Sequence, residues 1–314
     1  MQFLHDIYTP SPLELLESRF FPGIELWIKR DDLLHPQVSG NKFRKLKYPL
    51  LALQGKQPVL VTMGGAWSNH LHAIAHAAKL LGYPLIGLVR GHVTEGGVAM
   101  TPTLSDCQAM GMQICLLNRE AYRRLRDVPE AWRDHVAHCV ADYVWLPEGG
   151  SAPQALHGVA ELVDEVSAQL ATQLSIASPV TPDTLIVACG TGATMAGLLA
   201  GMRGRGRVIG VAVLKNAAYL HAELVRLLQQ AAYPEWQNYE LLTEFHQGGY
   251  GKAPPHLRQF CEEFSAETGV PLEPVYTGKM FYALHQLVLA GKFRQGERVV
   301  AVHTGGLQGA RGFI

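Results

Sequence analysis

A chain of 314 residues with 48% hydrophobic content can bury a sizeable core, and it is long enough for one elaborate domain or two closely packed ones. Its 27 lysines and arginines balance 27 aspartates and glutamates, so no global field draws it to nucleic acid or an anionic membrane, and small molecules or other subunits are the partners to expect. Five cysteines without a Cys-x-x-Cys pair read as reduced thiols of a cytoplasmic protein, and residues 1–11 lack the charged start and apolar core of a secretory leader, while no apolar run reaches membrane-spanning length.

In chain order, the first informative run is Ser39-Gly40-Asn41-Lys42-Phe43-Arg44-Lys45-Leu46. Asn41 reads as a helix N-cap, and Phe43, Leu46 and Leu50 fall at i, i+3 and i+7, a stripe that pins one side of a short helix to a core. Lys42 then lies in the first turn, where its charge opposes the helix dipole. It is either solvated or has its ammonium depressed for use as an amine nucleophile that forms an imine. The competing reading makes Lys42, Arg44, Lys45 and Lys47 the wet face of a basic helix.

Beyond it, strands are predicted at 58–63, 84–89, 113–117, 184–189, 207–213 and 297–303, several apolar on both faces. Helices with apolar stripes are predicted at 69–81, 153–174, 192–202, 217–230, 256–268 and 280–290. Such alternation predicts an α/β fold with parallel sheet and helices on both faces, joined by Gly- and Pro-marked loops around 92–102, 178–182 and 247–255.

Two strand-to-helix junctions are glycine-rich. After the strand at 184–189, Gly190-Thr191-Gly192-Ala193-Thr194 makes an anion site: backbone N–H groups and the Thr191 and Thr194 hydroxyls hold a phosphate at the positive end of a helix. A dinucleotide fingerprint fits poorly, because Met195 stands where its third glycine belongs and the next strand ends in Leu214-Lys215 without an acidic ribose ligand. A glycine turn with no ligand is the remaining alternative. The second junction, Gly64-Gly65-Ala66-Trp67-Ser68-Asn69-His70, offers N–H groups to a substrate carboxylate, although Ser68 and Asn69 also serve as ordinary caps. His72 and His76 are spaced i, i+4, but no glutamate or third ligand completes a zinc site, so no metal is expected. Tyr250 in Gly248-Gly249-Tyr250-Gly251 and Tyr276 in Pro274-Val275-Tyr276-Thr277-Gly278-Lys279 are each, taken alone, core tyrosines with satisfied hydroxyls.

Taken in order, Ser39-Gly40-Asn41-Lys42, the 64–70 loop, the 190–194 loop and the 274–279 run resemble the pyridoxal-phosphate enzymes of the tryptophan-synthase-β type, and more narrowly the group holding D-cysteine desulfhydrase and aminocyclopropane-carboxylate deaminase. The likeness runs from about 25 to 306. It implies pyridoxal 5′-phosphate as cofactor and two open, twisted, mostly parallel sheets with helices on both faces. A large domain would come from 1–45 and 158–314, a smaller insert from 46–157, and the assembly would be a homodimer. By the same resemblance Lys42 holds the cofactor and moves the α-proton. Gly190, Thr191, Gly192, Ala193 and Thr194 hold the phosphate, and Asn69 lies beside the 3′-oxygen. Ser68 is near substrate and Lys42, and Ser68, Asn69 and His70 grip the substrate carboxylate. Tyr276 stands near the leaving group and Tyr250 near the cofactor face, on a glycine-flanked segment suited to a mobile lid.

Thr277 discriminates within the group: the deaminases carry glutamate after that tyrosine and lack the threonine of His303-Thr304-Gly305-Gly306. Thr277 and Thr304 leave the pyridine nitrogen neutral or weakly bonded, which suffices when a thiolate departs from Cβ. Ser68-Asn69-His70 points the same way, so β-elimination from a small amino acid, D-cysteine foremost, is expected. Two alternatives stay open, deamination of a cyclopropane or another small amino acid, and a non-catalytic binder of pyridoxal phosphate or a phosphate ligand. Trp67 and His72, where the family usually has a polar residue and arginine, leave the substrate's shape open.

Overall fold

Strand residues that alternate between two apolar faces organise the larger half of the molecule. Along residues 184–189, Leu185, Val187 and Cys189 enter one core cluster while Ile186 and Ala188 enter another, and Val300 and Val302 part in the same way from Val299 and Ala301. A strand apolar on both faces belongs inside a sheet covered on both sides. The structure, a computed structural model, describes residues 9–38, 40–91, 93–94, 97–98, 100–136 and 142–313. Ser39, His92 and other parts of the 92–102 loop, Cys139, and the leader reading of the first eight residues lie outside the described residues.

The elements run β1 (Leu13–Leu15), β2 (Ile24–Lys29), α1 (Gly40–Leu51), β3 (Val59–Gly65), α2 (Asn69–Leu81), β4 (Leu85–Arg90), β5 (Val93–Thr94), β6 (Gly97–Val98), α3 (Pro102–Ala109), β7 (Met112–Leu117), α4 (Arg119–Asp127) and β8 (Tyr143–Leu146). They continue as α5 (Ala155–Gln173), β9 (Thr184–Cys189), α6 (Ala193–Met202), β10 (Arg207–Ala212), α7 (Leu220–Gln230), β11 (Tyr239–Leu242), α8 (Pro255–Thr268), α9 (Thr277–Leu289) and β12 (Glu297–Val302), closing on a 3-10 turn at Leu307–Gly312. One sheet has the order β1-β2-β12-β9-β10-β11, parallel except for the β1–β2 pair, and a second has the all-parallel order β7-β4-β3-β8. Helices α5, α6 and α7 cover one face of the first sheet, and α8 and α9 the other. This is the two-sheet, mostly parallel α/β architecture expected. We propose that the insert at 46–157 is bounded by helices shared between the sheets, since its first border falls inside α1 and its second inside α5.

Close approach and buried charge fix α1 against α5. A Cβ at Gly158 would collide with the Arg44 carbonyl, so glycine lets the two backbones touch. Arg44, 1% exposed, then bonds Asp31 at 2.6 and 2.8 Å and Glu165 at 3.0 and 2.9 Å. Lys29 of β2 joins the network through Glu165 at 2.9 Å, and Lys47 and Tyr48 both reach Glu161 at 2.6 Å. The four cations and carboxylates around Arg44 are matched, which is what burial of charge demands. The wet-face reading therefore fails for Arg44 and Lys45, both buried. The N-cap reading of Asn41 also needs correction. Helix α1 starts at Gly40, with φ of +63°, where any Cβ would strike the Thr304 carbonyl. That close approach leaves Asn41 inside the first turn, its N–H bonded to Thr304 O at 3.3 Å and its side chain free for another task.

Removing the Arg44 guanidinium leaves the buried Asp31 carboxylate without its cation and the partly buried Glu165 with Lys29 alone. Arg44→Met is expected to lower the unfolding free energy by about 3–5 kcal/mol, read from the urea midpoint at constant slope; a loss below about 1 kcal/mol would show the network to be dispensable.

Candidate active site

The carboxyl ends of β9 and β3 face one cleft of about 1320 Å³ between the two sheets, which α1 enters with its first turn. Ligands of open parallel sheets bind at such strand ends. Lys42, Ser68, Asn69, His70, Gly190, Thr191, Gly192, Thr194, Tyr250 and Tyr276 line it, bringing the four sequence motifs together. Ala193 is buried behind the loop as the first residue of α6, and neither Thr277 nor Thr304 lines the cleft.

Lys42 is tied to the 190–194 loop through its neighbour Asn41. Asn41 Nδ2 donates to Thr194 Oγ1 at 2.9 Å, and Ser151 Oγ donates to Thr191 Oγ1 at 2.6 Å. Each threonine oxygen thus accepts a bond from behind, leaving its own O–H free for an anion. Gly192, with φ of +81°, precedes the first turn of α6, whose N–H groups have no intrahelical acceptor. A Cβ at Gly190 would lie 3.3 Å from the Tyr276 ring, so glycine admits the tyrosine against the loop.

Two lysines share the cleft. Burial pushes the Lys42 amine down to about 8 from its ordinary 10.5, although its hydrogen bond to Lys45 opposes the shift. Lys45, 2% exposed, lies well below the ordinary lysine range, first through burial and then through the Lys42 charge. It lines the same cleft as Cys189, the last residue before the glycine loop. Sequence reading missed Lys45 because its i+3 spacing from Lys42 looked like a solvated stripe; the spacing instead puts both amines on one helix face.

His70 is 1% exposed and held in one tautomer. Thr62 Oγ1 donates to Leu146 O at 2.8 Å, so at 2.8 Å it accepts from His70 Nε2–H. The bare Nδ1 has no partner, and burial followed by the two lysine charges holds the ring well below the ordinary histidine range. A neutral ring presenting only a lone pair repels a carboxylate. The His70 side chain is thus engaged with Thr62, and what the 68–70 segment offers an anion is the first turn of α2, whose cap Ser68 Oγ accepts from Leu71 N at 3.3 Å.

Tyr250 and Tyr276 meet edge to face, 5.9 Å between centroids, and their hydroxyls are bonded. Burial raises Tyr276 well above the ordinary tyrosine range, so it keeps its proton. Thr277 turns the other way: its Oγ1 accepts from Glu273 N at 3.1 Å and lies 3.2 Å from Glu273 Oε1. On the opposite wall, unforeseen from sequence, Tyr122 donates to Glu148 Oε1 at 2.5 Å with the Arg90 guanidinium 5.6 Å over its ring. Their segments carry no motif that would have signalled them. His72 lies 3.4 Å from Asp106, and Arg311 bonds the same carboxylate at 2.6 Å. Burial pushes His72 down to about 4, leaving Arg311 as the cation on Asp106.

A desolvated amine, threonine O–H groups and a glycine cradle at a helix start fit pyridoxal phosphate. The family model for pyridoxal-phosphate-dependent enzymes matches residues 4–305, and the chain belongs to that family. A Pyrococcus horikoshii protein with a provisional 1-aminocyclopropane-1-carboxylate deaminase name is 31% identical, covering 91% of this chain and 86% of its own. A Salmonella paratyphi A protein named D-cysteine desulfhydrase is 28% identical, covering 96% and 92%. A crystal structure of an ACC deaminase homologue superposes with a TM-score of 0.79 at 29% identity, covering 95% of this chain and 90% of that one. The protein is a pyridoxal-phosphate-dependent lyase of the group whose members carry these two names.

The folded chain releases the Lys42 proton at lower pH than the unfolded one, so between about pH 8 and 10.5 rising pH stabilises the fold through this group. Labelling of the apoprotein by pyridoxal phosphate and borohydride is expected to rise with a midpoint near pH 8 and to map to Lys42; a midpoint near 10.5 would mean a solvated ammonium.

Proposed function

We propose that the protein is a D-cysteine desulfhydrase, converting D-cysteine and water to pyruvate, ammonia and hydrogen sulfide. The observation that carries this reading is the polar, uncharged Thr277 at the position where, by the family resemblance, a deaminase would carry glutamate, next to Tyr276 of a tyrosine pair that lines the same cleft as Lys42. Ser68-Asn69-His70 supports it from the sequence side.

Bound pyridoxal phosphate supplies the sink for the electron pair left at Cα. The residues of the chain do the rest. Lys42 Nζ, kept near neutrality by burial, takes the α-proton when it is not holding the cofactor. The α2 N–H groups orient the carboxylate, and Ser68 stands beside them as cap. The Tyr276 O–H, retained at neutral pH, is placed to meet the departing sulfur, with Tyr250 holding it from the cleft side. Thr191, Thr194 and Lys45 anchor the phosphate. Thr277 and Thr304 lie outside the cleft lining and add no charge to it.

Ring-opening deamination of 1-aminocyclopropane-1-carboxylate is the second reading, favoured by the names of the Pyrococcus relative and the superposed structure. A cytoplasmic homodimer remains part of the proposal on the resemblance alone, and sedimentation tests the assembly.

Turnover of D-cysteine, with pyruvate and sulfide released in equal amounts, is expected to exceed that of L-cysteine, D-serine and aminocyclopropane carboxylate; failure with both cysteine enantiomers would sink the reading. Lys42→Ala should lose about 10³-fold or more in turnover and the visible band of the bound cofactor. Tyr276→Phe should keep that band and lose about 10- to 100-fold in kcat, since only its O–H is removed. An unchanged kcat would leave the tyrosine a packing residue.

A further inference from the structure

Asn69 reaches the cleft from the first turn of α2, yet its carboxamide is gripped from the far end of the chain. The turn Leu307–Gly312 carries Gln308, whose Oε1 accepts from Thr103 Oγ1 at 2.8 Å and Arg311 Nη2 at 3.1 Å, and whose Nε2 donates to Asn69 Oδ1. Arg311 is itself fixed by Asp106 at 2.6 Å and by Gln308 O at 3.1 Å. A guanidinium only donates, so Gln308 must turn its oxygen to Arg311 and its NH₂ to Asn69. The choice propagates. Asn69 must turn its oxygen to Gln308, which leaves its Nδ2 as a donor with no acceptor among the described residues. Gly306 makes the room: a Cβ there would run into that Nδ2.

We propose that Gln308 is a positioning residue of the active site, which fixes the Asn69 carboxamide so that an N–H, and not an oxygen, is presented to the ring oxygen of bound pyridoxal phosphate. The inference rests on the proposed cofactor site and on the expectation, carried by the family resemblance, that Asn69 lies beside that oxygen. Without the clamp an amide can rotate by half a turn at little cost, and the flipped form sets two acceptors against each other. Thr103 and Arg311 act one step further back, as the groups that decide which way Gln308 points. Sequence motifs around the glycine loops give no hint of this chain of bonds, because its members are drawn from α2, α3 and the C-terminal turn.

The test follows the visible absorbance of the loaded protein across pH in wild type, Gln308→Met, Gln308→Glu and Asn69→Ala, with cofactor dissociation and the melting midpoint of each unloaded protein measured alongside. A donor to the ring oxygen favours its deprotonated form, so losing it should move the absorbance midpoint up by about half a pH unit or more and weaken cofactor binding about three- to ten-fold. Methionine keeps the volume of Gln308, and its unloaded protein should melt within about 2 °C of wild type. Glutamate keeps the acceptor for Thr103 and Arg311 but turns a second acceptor on Asn69, so it should drive the flip and shift the midpoint the same way even if the methionine variant fails to fold. Wild-type midpoints in both Gln308 variants, with Asn69→Ala shifted, would overturn the positioning role. A wild-type midpoint in Asn69→Ala would overturn the reading of Asn69 and the inference with it, and a wild type that binds no pyridoxal phosphate would overturn the cofactor site as a whole.

Discussion

The site depends on one constraint: the first turn of α1 is pressed into a cleft where its lysines lose their water. Nothing in the helix itself favours that placement, since two amines beside a helix N-terminus oppose its dipole. The helix is held by its other side, where Arg44 meets Asp31 and Glu165, Lys47 and Tyr48 meet Glu161, and Gly158 lets the backbones touch. Arg44 and Lys45 follow each other in sequence and point to opposite fates, one fully paired in a salt-bridge network and the other unpaired by any carboxylate. The network is the foundation that lets the amines be desolvated.

That desolvation defines what the cleft will accept. Burial lowers both amines, the Lys42 charge lowers Lys45 further while the hydrogen bond from Lys45 pulls Lys42 back up, and among the described residues no carboxylate is bonded to either; Glu148, in the same cleft, is held by Tyr122. A pocket of amines, free threonine O–H groups and helix-start N–H groups holds unmet demand for negative charge. In the proposed reading a phosphate answers it at the β9 end and a carboxylate at the β3 end. The same shortage makes Lys42 reactive, since an amine that is costly to protonate is available as nucleophile and base. Binding and catalysis here draw on one electrostatic fact.

Much of this was legible in the sequence, for reasons that can be named. The six strands expected between residues 58 and 303, several of them apolar on both faces, sit within a residue or two of where they were expected. Strand β2 was missed because Glu25 and Lys29 interrupt its apolar run; in three dimensions Glu25 pairs with Arg298 at 2.7 Å, and Lys29 is buried in the Arg44 network. Strands β8 and β11 have four residues each, too few for a period to declare itself. Helix α4 was missed because Tyr122 and Leu125 alone face its core. In the site, motif residues were legible as types and spacings. Partner identity was not: nothing local says that Asn41 serves Thr194 and not its own helix, that His70 presents a lone pair, or that Gln308 reaches Asn69.

Thr277 illustrates why residue type alone understates the choice this chain has made. A carboxylate does lie close by, four residues earlier, but Glu273 accepts from the N–H groups of Val275, Tyr276 and Thr277 at 2.8, 2.8 and 2.7 Å. It is buried, and burial raises it to about 7 against the pull of those same bonds. Its two oxygens are thus spent on the start of α9, and Thr277 is bonded to it from the side. A glutamate at 277 would have to displace this cap, put two carboxylates within one buried turn, and find a cation to offset the second charge. The nearest buried candidate, Lys279, already donates to Gly249 O at 2.8 Å and thereby steadies the segment that carries Tyr250. The wall behind the expected pyridine nitrogen is therefore organised around a neutral group, and converting it to a carboxylate would require rebuilding the cap of α9 and the anchor of the Tyr250 segment together.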